Sequence, residues 1–317
     1  SFINSYWSLV LIYLTILALG SIMMGNLAVA KLISNWFDKN AGRALGIAAI
    51  GISFSGVVLP LVVDPLLDLV GWRNVYVIFA AVVLFIILPL IFFVVIDDPK
   101  TVNQVKDGIK RDIKEESLPQ EMNSKDLLSK KVFWVISLAF AFQFLSMMGV
   151  IAFLPIHASK MGLDEIWNIL GFPVKQYVFA YALAAFGGVL GKLIFGYLMD
   201  LMRAAYPSMI AMSLQATGIF GFTYFSEPII FFLSALIFGL GYGAATPLMT
   251  ASYLRAFGSH NLGKARGISS PIVAPLQPIG ILITSILIGF QDTYFVAFNI
   301  MGCFALVAVI LASQIQE

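Results

Sequence analysis

One lysine interrupts a long apolar run in the second half of the chain, and this cation is the residue best placed to do chemistry. Lys192 lies within the apolar run 176–199, about seven positions from its end. A cation in hydrocarbon costs about 2.5–3.5 kcal/mol on insertion scales, so such residues usually face a cavity or a partner. This placement favours an electrostatic site for an anion. Alternatively, the long stem of the lysine carries its ammonium group to the interface.

Other polar residues inside apolar runs are further candidates. Asn26 and Gln143 either contact a solute in a cavity or hydrogen-bond to neighbouring helices. Asp64 is followed by Pro65, which loosens the backbone there, and it is a candidate for gating or coupling. Asp68, nearer the end of the same run, is expected to anchor the helix at the interface. Lys31 lies six residues before the end of its apolar run, and we expect its head group to reach the interface.

The sequence favours neither a metal site nor a cofactor. Cys303 is the one cysteine, and the two histidines, His157 and His260, fall in segments predicted to be loops. The glycine-rich stretch 239–243 lies within an apolar run with no preceding strand, which predicts close helix packing rather than nucleotide binding. The chain shows no catalytic triad, no Walker sequence and no basic patch for nucleic acid, so we expect neither an enzyme nor a nucleic-acid-binding protein.

The composition predicts that these residues are positioned by membrane-spanning elements. Of the 317 residues, 60% are hydrophobic and 11% are charged, and the mean hydropathy is +0.94. Soluble domains are about 45–50% apolar and about 25% charged, so the excess apolar surface of this chain must face a lipid bilayer.

Nine apolar stretches are long enough to cross a bilayer as helices, which takes about 20 residues each. Backbone polar groups cannot stay unpaired in lipid, and the continuity of the runs favours helices over a barrel. The predicted spans are 6–36, 42–69, 73–96, 132–156, 176–199, 207–226, 229–254, 266–290 and 293–314.

The distribution of cations between the connecting loops sets the orientation. One set of loops, which includes Lys39, Arg43 and Arg203, carries fourteen Lys and Arg residues, and the opposite set carries three. The richer set is expected to be cytoplasmic. It includes the polar segment 97–131, with eight acidic and eight basic residues, which we interpret as a solvated linker. We therefore expect a first helical bundle over 1–97, a linker over 98–131 and a second bundle over 132–317.

A short internal repeat indicates a two-fold design. Residues 42–47 (GRALGI) match residues 263–268 (GKARGI), and both copies lie in loops predicted to be cytoplasmic. Two halves repeated in one orientation are typical of parallel pseudo-two-fold transporters. Four predicted spans separate the linker from the second copy, but one precedes the first. We therefore expect twelve helices, of which three at the N-terminus are absent from this chain, and a chain that does not transport alone.

Several motifs together resemble the major facilitator superfamily, and within it the branch of monocarboxylate transporters and oxalate:formate antiporters. The resemblance covers essentially the whole chain, as the fourth to twelfth helices of that family. It is carried by residues 36–48 (WFDKNAGRALGIA), 71–73 (GWR), 191–200 (GKLIFGYLMD) and 238–243 (FGLGYG). The resemblance implies an all-α membrane protein in which two helical bundles rock about a central site.

Individual positions acquire expected roles from this resemblance. A cation at the place of Lys192 contacts the carboxylate of the substrate in that branch. Gly191, Gly196 and Asp200 match a loop motif that acts as a hinge or latch in that family. Arg43 and Asp38 lie at a helix junction in a loop predicted to be cytoplasmic, where charges anchor helix ends at the interface. The basic run of that motif is thin here, with Arg203 alone before Tyr206, which is a departure from the family pattern.

Two further departures limit the chemistry that the resemblance implies. Gly188 stands where some members carry an aspartate for proton coupling, and the span 266–290 has no cation after Arg266. A small organic anion such as a monocarboxylate is therefore the expected solute, without a second cation for a dicarboxylate. The alternatives are transport of an unrelated solute, such as a sugar or a drug-like compound, and a membrane sensor. We expect a multi-pass protein of the cell membrane, either a bacterial inner membrane or a plasma membrane.

Overall fold

The structure is a computed structural model of the chain. The structure describes residues 5–17, 19–20, 26–37, 39–105, 122–169, 172–291 and 294–315. The side chains of Asn26, Asp64 and Asp68 lie outside this description, as does the whole of Asp38.

Helices dominate the described residues, as expected from the continuous apolar runs. The α-helices are α1 (Tyr6–Ile12), α2 (Asn26–Trp36), α3 (Ala41–Val82), α4 (Leu88–Val94), α5 (Ser124–Ser129), α6 (Lys131–Ile151), α7 (Leu154–Lys160), α8 (Gln176–Leu201), α9 (Ala205–Tyr224), α10 (Pro228–Gly243), α11 (Ala245–Val273), α12 (Leu276–Gln291) and α13 (Tyr294–Ala312). Two strands, β1 (Ile166–Ile169) and β2 (Phe172–Lys175), form an antiparallel hairpin between α7 and α8, in which Ile166 pairs with Lys175. Short π-helical turns occur at Tyr13–Leu17 and Val83–Ile87, and a 3₁₀ turn at Pro99–Val102.

Two compact units contain these elements. The first unit comprises residues 1–38 and 55–112, and the second comprises residues 39–54 and 113–317. The start of α3 therefore belongs to the second unit and the rest of α3 to the first. The bundle boundaries near residues 97 and 131 that the sequence suggested stay a prediction.

In the first unit, the ends of α2 and α4 are joined by side chains. The indole Nε1 of Trp36 donates to the carbonyl of Ile96 at 2.7 Å, and Asn35 Nδ2 donates to the carbonyl of Asp97 at 3.2 Å. The stretch Leu69–Val94 presents apolar side chains outwards along its length, including Phe92 and Phe93. Such a surface is expected to face lipid or other apolar partners.

The second unit has a continuous apolar core. Helix α10 packs on α8 and α9, while α13 packs on α6 and α9, and α12 packs on α6. Phe222, Phe231, Phe238 and Phe298 are fully buried in this core. Glycines bring the helix backbones close together, since Gly239 of α10 lies against Ala184 of α8 and Gly241 lies against Ala211 of α9. The prediction of close packing at the glycine-rich stretch 239–243 is thereby confirmed.

Five helical stretches among the described residues are long and apolar enough to cross a membrane. They are Leu69–Val94, Lys131–Ile151, Gln176–Leu201, Pro228–Phe290 and Tyr294–Ala312. The stretch Pro228–Phe290 includes three successive helices, α10 to α12. The count of nine spans, out of an expected twelve, stays a prediction.

The loop predicted over residues 255–265 is wrong in extent, because the break between helices is confined to a kink at Gly258. Helix α11 continues through this segment, with a single non-helical residue at Gly258, where φ is +75°. Glycine adopts this left-handed conformation without a steric penalty, so the helix bends sharply and resumes. Pro271, Pro275 and Pro278 predict a kink in the span 266–290, because proline removes helical hydrogen bonds. The structure confirms it, since α11 ends at Val273 and α12 begins at Leu276.

Candidate functional site

Helix α8 carries both Lys192 and Asp200, and its glycines determine which helices pack on it. A Cβ atom added at Gly191 would meet the backbone carbonyl of Leu240 in α10. On another side of α8, a Cβ atom added at Gly196 would lie 2.7 Å from the carbonyl oxygen of Gly42 in α3. The absence of side chains at these positions lets the start of α3 and α10 approach the same helix at backbone distance.

Lys192 emerges from α8 between these two contacts. It is four residues after Gly188, which faces the Tyr242 ring of α10, and four residues before Gly196, which faces α3. Four residues turn an α-helix by about 40° beyond a full circle, so the side chain points between the two neighbours. Lys192 is 4% exposed, and a Cβ atom at Gly46 would meet its backbone carbonyl. The lysine is therefore buried among helices of the second unit.

Asp200 caps the start of α3. Its Oδ1 accepts a hydrogen bond from the backbone N–H of Gly42 at 2.7 Å, and its Oδ2 accepts one from the N–H of Arg43 at 3.0 Å. The first N–H groups of a helix have no partner within the helix, and a carboxylate there also interacts favourably with the helix dipole. The carboxylate thus satisfies two donors at once.

The guanidinium group of Arg43 reinforces this contact. Its Nε lies 3.5 Å from Asp200 Oδ2, and its Cζ lies 4.4 Å from the centre of the Tyr197 ring. The Arg43 side chain is 44% exposed, so the ion pair itself adds little stability. The two backbone hydrogen bonds are the stronger part of what we call the Asp200 clamp, formed by Gly42, Arg43, Tyr197 and Asp200.

Arg255 binds backbone carbonyls at the C-terminal end of α8, the end that also carries Asp200, and sequence reasoning missed this role. Its Nη1 donates to the carbonyl of Met202 at 2.6 Å, and its Nη2 donates to the carbonyl of Met199. The last carbonyls of a helix need partners from outside the helix, and a cation also complements the dipole there. In the sequence, Arg255 was one of many loop cations, and no local pattern distinguished it.

Gln143 lies in the core of the second unit and joins three helices. Its Nε2 points at the carbonyl of Gly241 in α10 at 3.4 Å, and Gln215 Nε2 of α9 donates to the carbonyl of Gln143 at 3.0 Å. Both glutamines are fully buried, and within the described part of the chain the Oε1 atom of each has no hydrogen-bond donor. Gln143 was predicted either to contact a solute or to hydrogen-bond to neighbouring helices, and the structure contains the contacts with neighbouring helices.

For two of the remaining candidates, the structure describes the helix but not the side chain. Asn26 lies in α2 and Asp64 in α3, but their side chains lie outside the described residues. Lys192 and Asp200 both lie in the C-terminal half of α8, where Asp200 pairs with Arg43. His157, expected in a loop, is instead 5% exposed in α7, which corrects the sequence interpretation.

Comparison with known protein families shows to which family the chain belongs. The Major Facilitator Superfamily matches residues 1–276, which include the Asp200 clamp and Lys192. The chain belongs to the Major Facilitator Superfamily. No curated protein matches the chain closely enough to add a relative.

Membership of the superfamily fixes the coarse function. It is a family of secondary transporters and not of enzymes, and its members are embedded in a membrane through several helices. The partners of such a protein are a lipid bilayer and a small solute. The apolar helices of the described residues agree with this placement.

Proposed function

We propose that the protein transports a small organic anion, such as a monocarboxylate, by alternating access, and that Lys192 supplies the positive charge that binds the carboxylate. A buried ammonium group beside a solute pathway attracts an anion and repels a cation of the same size. The protein would do this in the cell membrane, a bacterial inner membrane or a plasma membrane.

The observation that carries this proposal is the burial of Lys192 in an apolar helix. A lysine whose head group reached water at the interface would expose its end, whereas Lys192 is 4% exposed. Burying a cation in an apolar helix costs free energy, so such a residue is usually kept for a function or for a partner. Close to the lysine, Gly188 packs tightly against Tyr242, whose hydroxyl oxygen would lie 3.1 Å from a Cβ atom at Gly188.

We further propose that the Asp200 clamp is a gating element. It holds the start of α3 against the end of α8 through two backbone hydrogen bonds and one exposed ion pair. Contacts of this strength form and break at modest free-energy cost, which suits an element that changes partners between states. Asn26 and Gln143 are proposed as further solute contacts, and Asp64 as a coupling residue.

The proposal is tested by uptake into liposomes that contain the full gene product. A panel of monocarboxylates, a sugar and an organic cation is offered to the parent and to Lys192→Ala. The lost charge-assisted hydrogen bond is worth about 1.5–3 kcal/mol, so the apparent affinity for a carboxylate should fall by about 10- to 100-fold. Lys192→Arg should retain part of the affinity, and Lys192→Glu should abolish uptake.

Lys31→Ala is the matched control, because it also removes a cation from an apolar helix but leaves α8 intact. It should leave the apparent affinity within a factor of about two. Carboxylate uptake that is unchanged in Lys192→Ala would disprove the charge role. Selective uptake of the sugar or the organic cation by the parent would replace the anion with another solute in the same fold.

A further inference from the structure

The second unit contains a buried histidine that the transport site does not use. His157 lies in the short helix α7, between α6 and the β1–β2 hairpin, on the side predicted to be external. The helix begins with Pro155 in its first turn, and the side chain of His157 points into the core. Its neighbour Ala158 is fully buried as well.

The imidazole ring joins three helices. Its Nε2 lies 2.8 Å from the carbonyl oxygen of Phe222 near the end of α9, so this nitrogen carries the proton and donates it. The ring centre lies 4.8 Å from that of Phe298 and 5.1 Å from that of Tyr294 in α13, and 6.0 Å from that of Phe231 in α10. The imidazole thus adds a polar bond and three ring contacts to the apolar packing of Leu154 and Ala158 that holds α7 on the bundle.

The neutral imidazole fits this cluster, and a second proton does not. Nε2 already uses its hydrogen on the Phe222 carbonyl, so a second proton would go to Nδ1 and place a full charge among aromatic rings. Burial lowers the pKa of His157 below its ordinary value of 6.5, and the hydrogen bond to Phe222 partly offsets this. A site that prefers neutral histidine loses stability as the pH falls below about 6.5, because the open form then binds more protons.

Charged neighbours do not change this conclusion. Tyr294 is the ionisable group in ring contact with His157, and Lys160, one turn further along α7, lies 5.3 Å from the centre of the Tyr294 ring. Asp164 and Glu165 accept hydrogen bonds from Ser159 and Gln176. The other ionisable side chains at this end of the described unit are Lys175, Tyr177, Tyr224 and Glu227.

We propose that His157 is a proton-sensitive lock at the external end of the second unit: the neutral ring fastens α7 to α9, and its protonation releases α7. The lock gives the protein a response to external acidity that is separate from anion binding at Lys192. This response does not depend on a proton-binding carboxylate on α8, where glycine occupies position 188.

The lock is tested by the chemical accessibility of a buried cysteine. In a Cys303→Ser background, Ala158→Cys places a thiol at a fully buried position, and Ile156→Cys places one at a position that is 52% exposed. An impermeant maleimide is applied to the full gene product in sealed liposomes, and the rate at residue 158 is divided by the rate at residue 156. This ratio removes the pH dependence of the thiol reaction itself.

The ratio should rise by about tenfold between about pH 7.5 and about pH 5.5, as expected if the released histidine titrates at about 6.5 and the buried one stays neutral. His157→Gln, whose amide can donate to the Phe222 carbonyl but does not titrate, should remove the rise. His157→Asn, which is too short for that bond, should give a high ratio at both values. His260→Gln, at the exposed second histidine, should behave as the parent.

An equal ratio at both pH values in the parent overturns the lock, whether or not the variants fold. The same tenfold rise in His157→Gln also overturns it, because another group would then be titrating. Neither result bears on Lys192, so failure here is distinct from failure of the transport proposal.

Discussion

At the scale of single residues, Asp200 joins the end of α8 to the start of α3. One carboxylate satisfies the backbone N–H groups of Gly42 and Arg43, and Arg255 completes the carbonyls at the end of the same helix. Each end of the contact is a helix terminus whose polar groups would otherwise need water. Polar bonds thus hold the C-terminal end of α8 in place.

Asp200→Ala tests this cap. The variant leaves two donors at the start of α3 without their partner, and the loss of a helix N-cap costs about 0.5–2 kcal/mol. The free energy of unfolding in detergent, measured with denaturant, should fall by that amount. Arg43→Ala should cost less, about 0–1 kcal/mol, because the ion pair is exposed.

Arg203→Ala is the control for this series. Arg203 is an exposed cation in the same connection, three residues after Asp200. Its removal should leave the free energy of unfolding within about 0.5 kcal/mol of the parent. If the Arg203 variant matched the loss in Asp200→Ala, a general charge effect would explain the data and the cap would not.

The residues that sequence reasoning found are those whose chemistry conflicts with their surroundings. Lys192 stood out because a cation interrupts an apolar run, and Asp200 because a carboxylate ends one. Arg255 and His157 gave no such signal, because their roles depend on carbonyl groups 53 and 65 residues away in the chain. A pattern along the sequence cannot show a partner that only folding brings near.

At the scale of elements, the two copies of the repeat differ in their surroundings. A Cβ atom at Gly42 or Gly46 of the first copy would collide with the backbone or side chains of α8. At Gly263 and Gly267 of the second copy, no atom of the described residues lies within 4 Å of such a Cβ. The glycines of the first copy therefore allow close packing between helices, whereas those of the second copy do not contribute to such packing.

This difference predicts opposite effects for one substitution at matched positions. Gly46→Ala places a methyl group against the carbonyl of Lys192, so α3 and α8 must separate, and overpacking of this kind costs about 1–3 kcal/mol. Gly267→Ala meets open space within α11 and should stabilise the helix by about 0.5–1 kcal/mol. Thermal unfolding of both variants in one detergent measures the pair; equal destabilisation of both would contradict the packing described for α3 and α8.

The sequence predicted the type of the elements better than their limits. Apolar continuity predicted helices, and the prolines predicted the break between α11 and α12. The polar residues 255–265 were read as a loop because they lack an apolar pattern, yet their hydrogen bonds remain helical apart from Gly258. Hydropathy reports where a segment meets lipid, and it does not report where a helix ends in water.

At the scale of the whole molecule, the distribution of charge predicts the orientation of the chain in its membrane. Cation-rich connections are expected on the cytoplasmic side and the β1–β2 hairpin on the external side. Thr101, in the 3₁₀ turn after α4, and Ile166, at the start of the hairpin, are both exposed and represent the two sides.

Single cysteines at these two positions test the orientation. In a Cys303→Ser background, an impermeant maleimide should label Ile166→Cys in right-side-out vesicles and Thr101→Cys in inside-out vesicles. The expected preference is at least about tenfold for each, since a maleimide that does not cross the bilayer reaches one face alone. Labelling of both positions from one side would refute the predicted topology.

The central claim is that one buried ammonium group selects an anion, and a ligand-dependent stability measurement tests it most directly. Purified parent and Lys192→Gln protein are heated with a monocarboxylate, such as acetate, or with the corresponding neutral amide, acetamide. A ligand at ten times its dissociation constant stabilises by about 1.4 kcal/mol, so the carboxylate should raise the melting temperature of the parent while the amide does not. Lys192→Gln should show neither shift. A carboxylate shift that is equal in parent and Lys192→Gln would contradict the account.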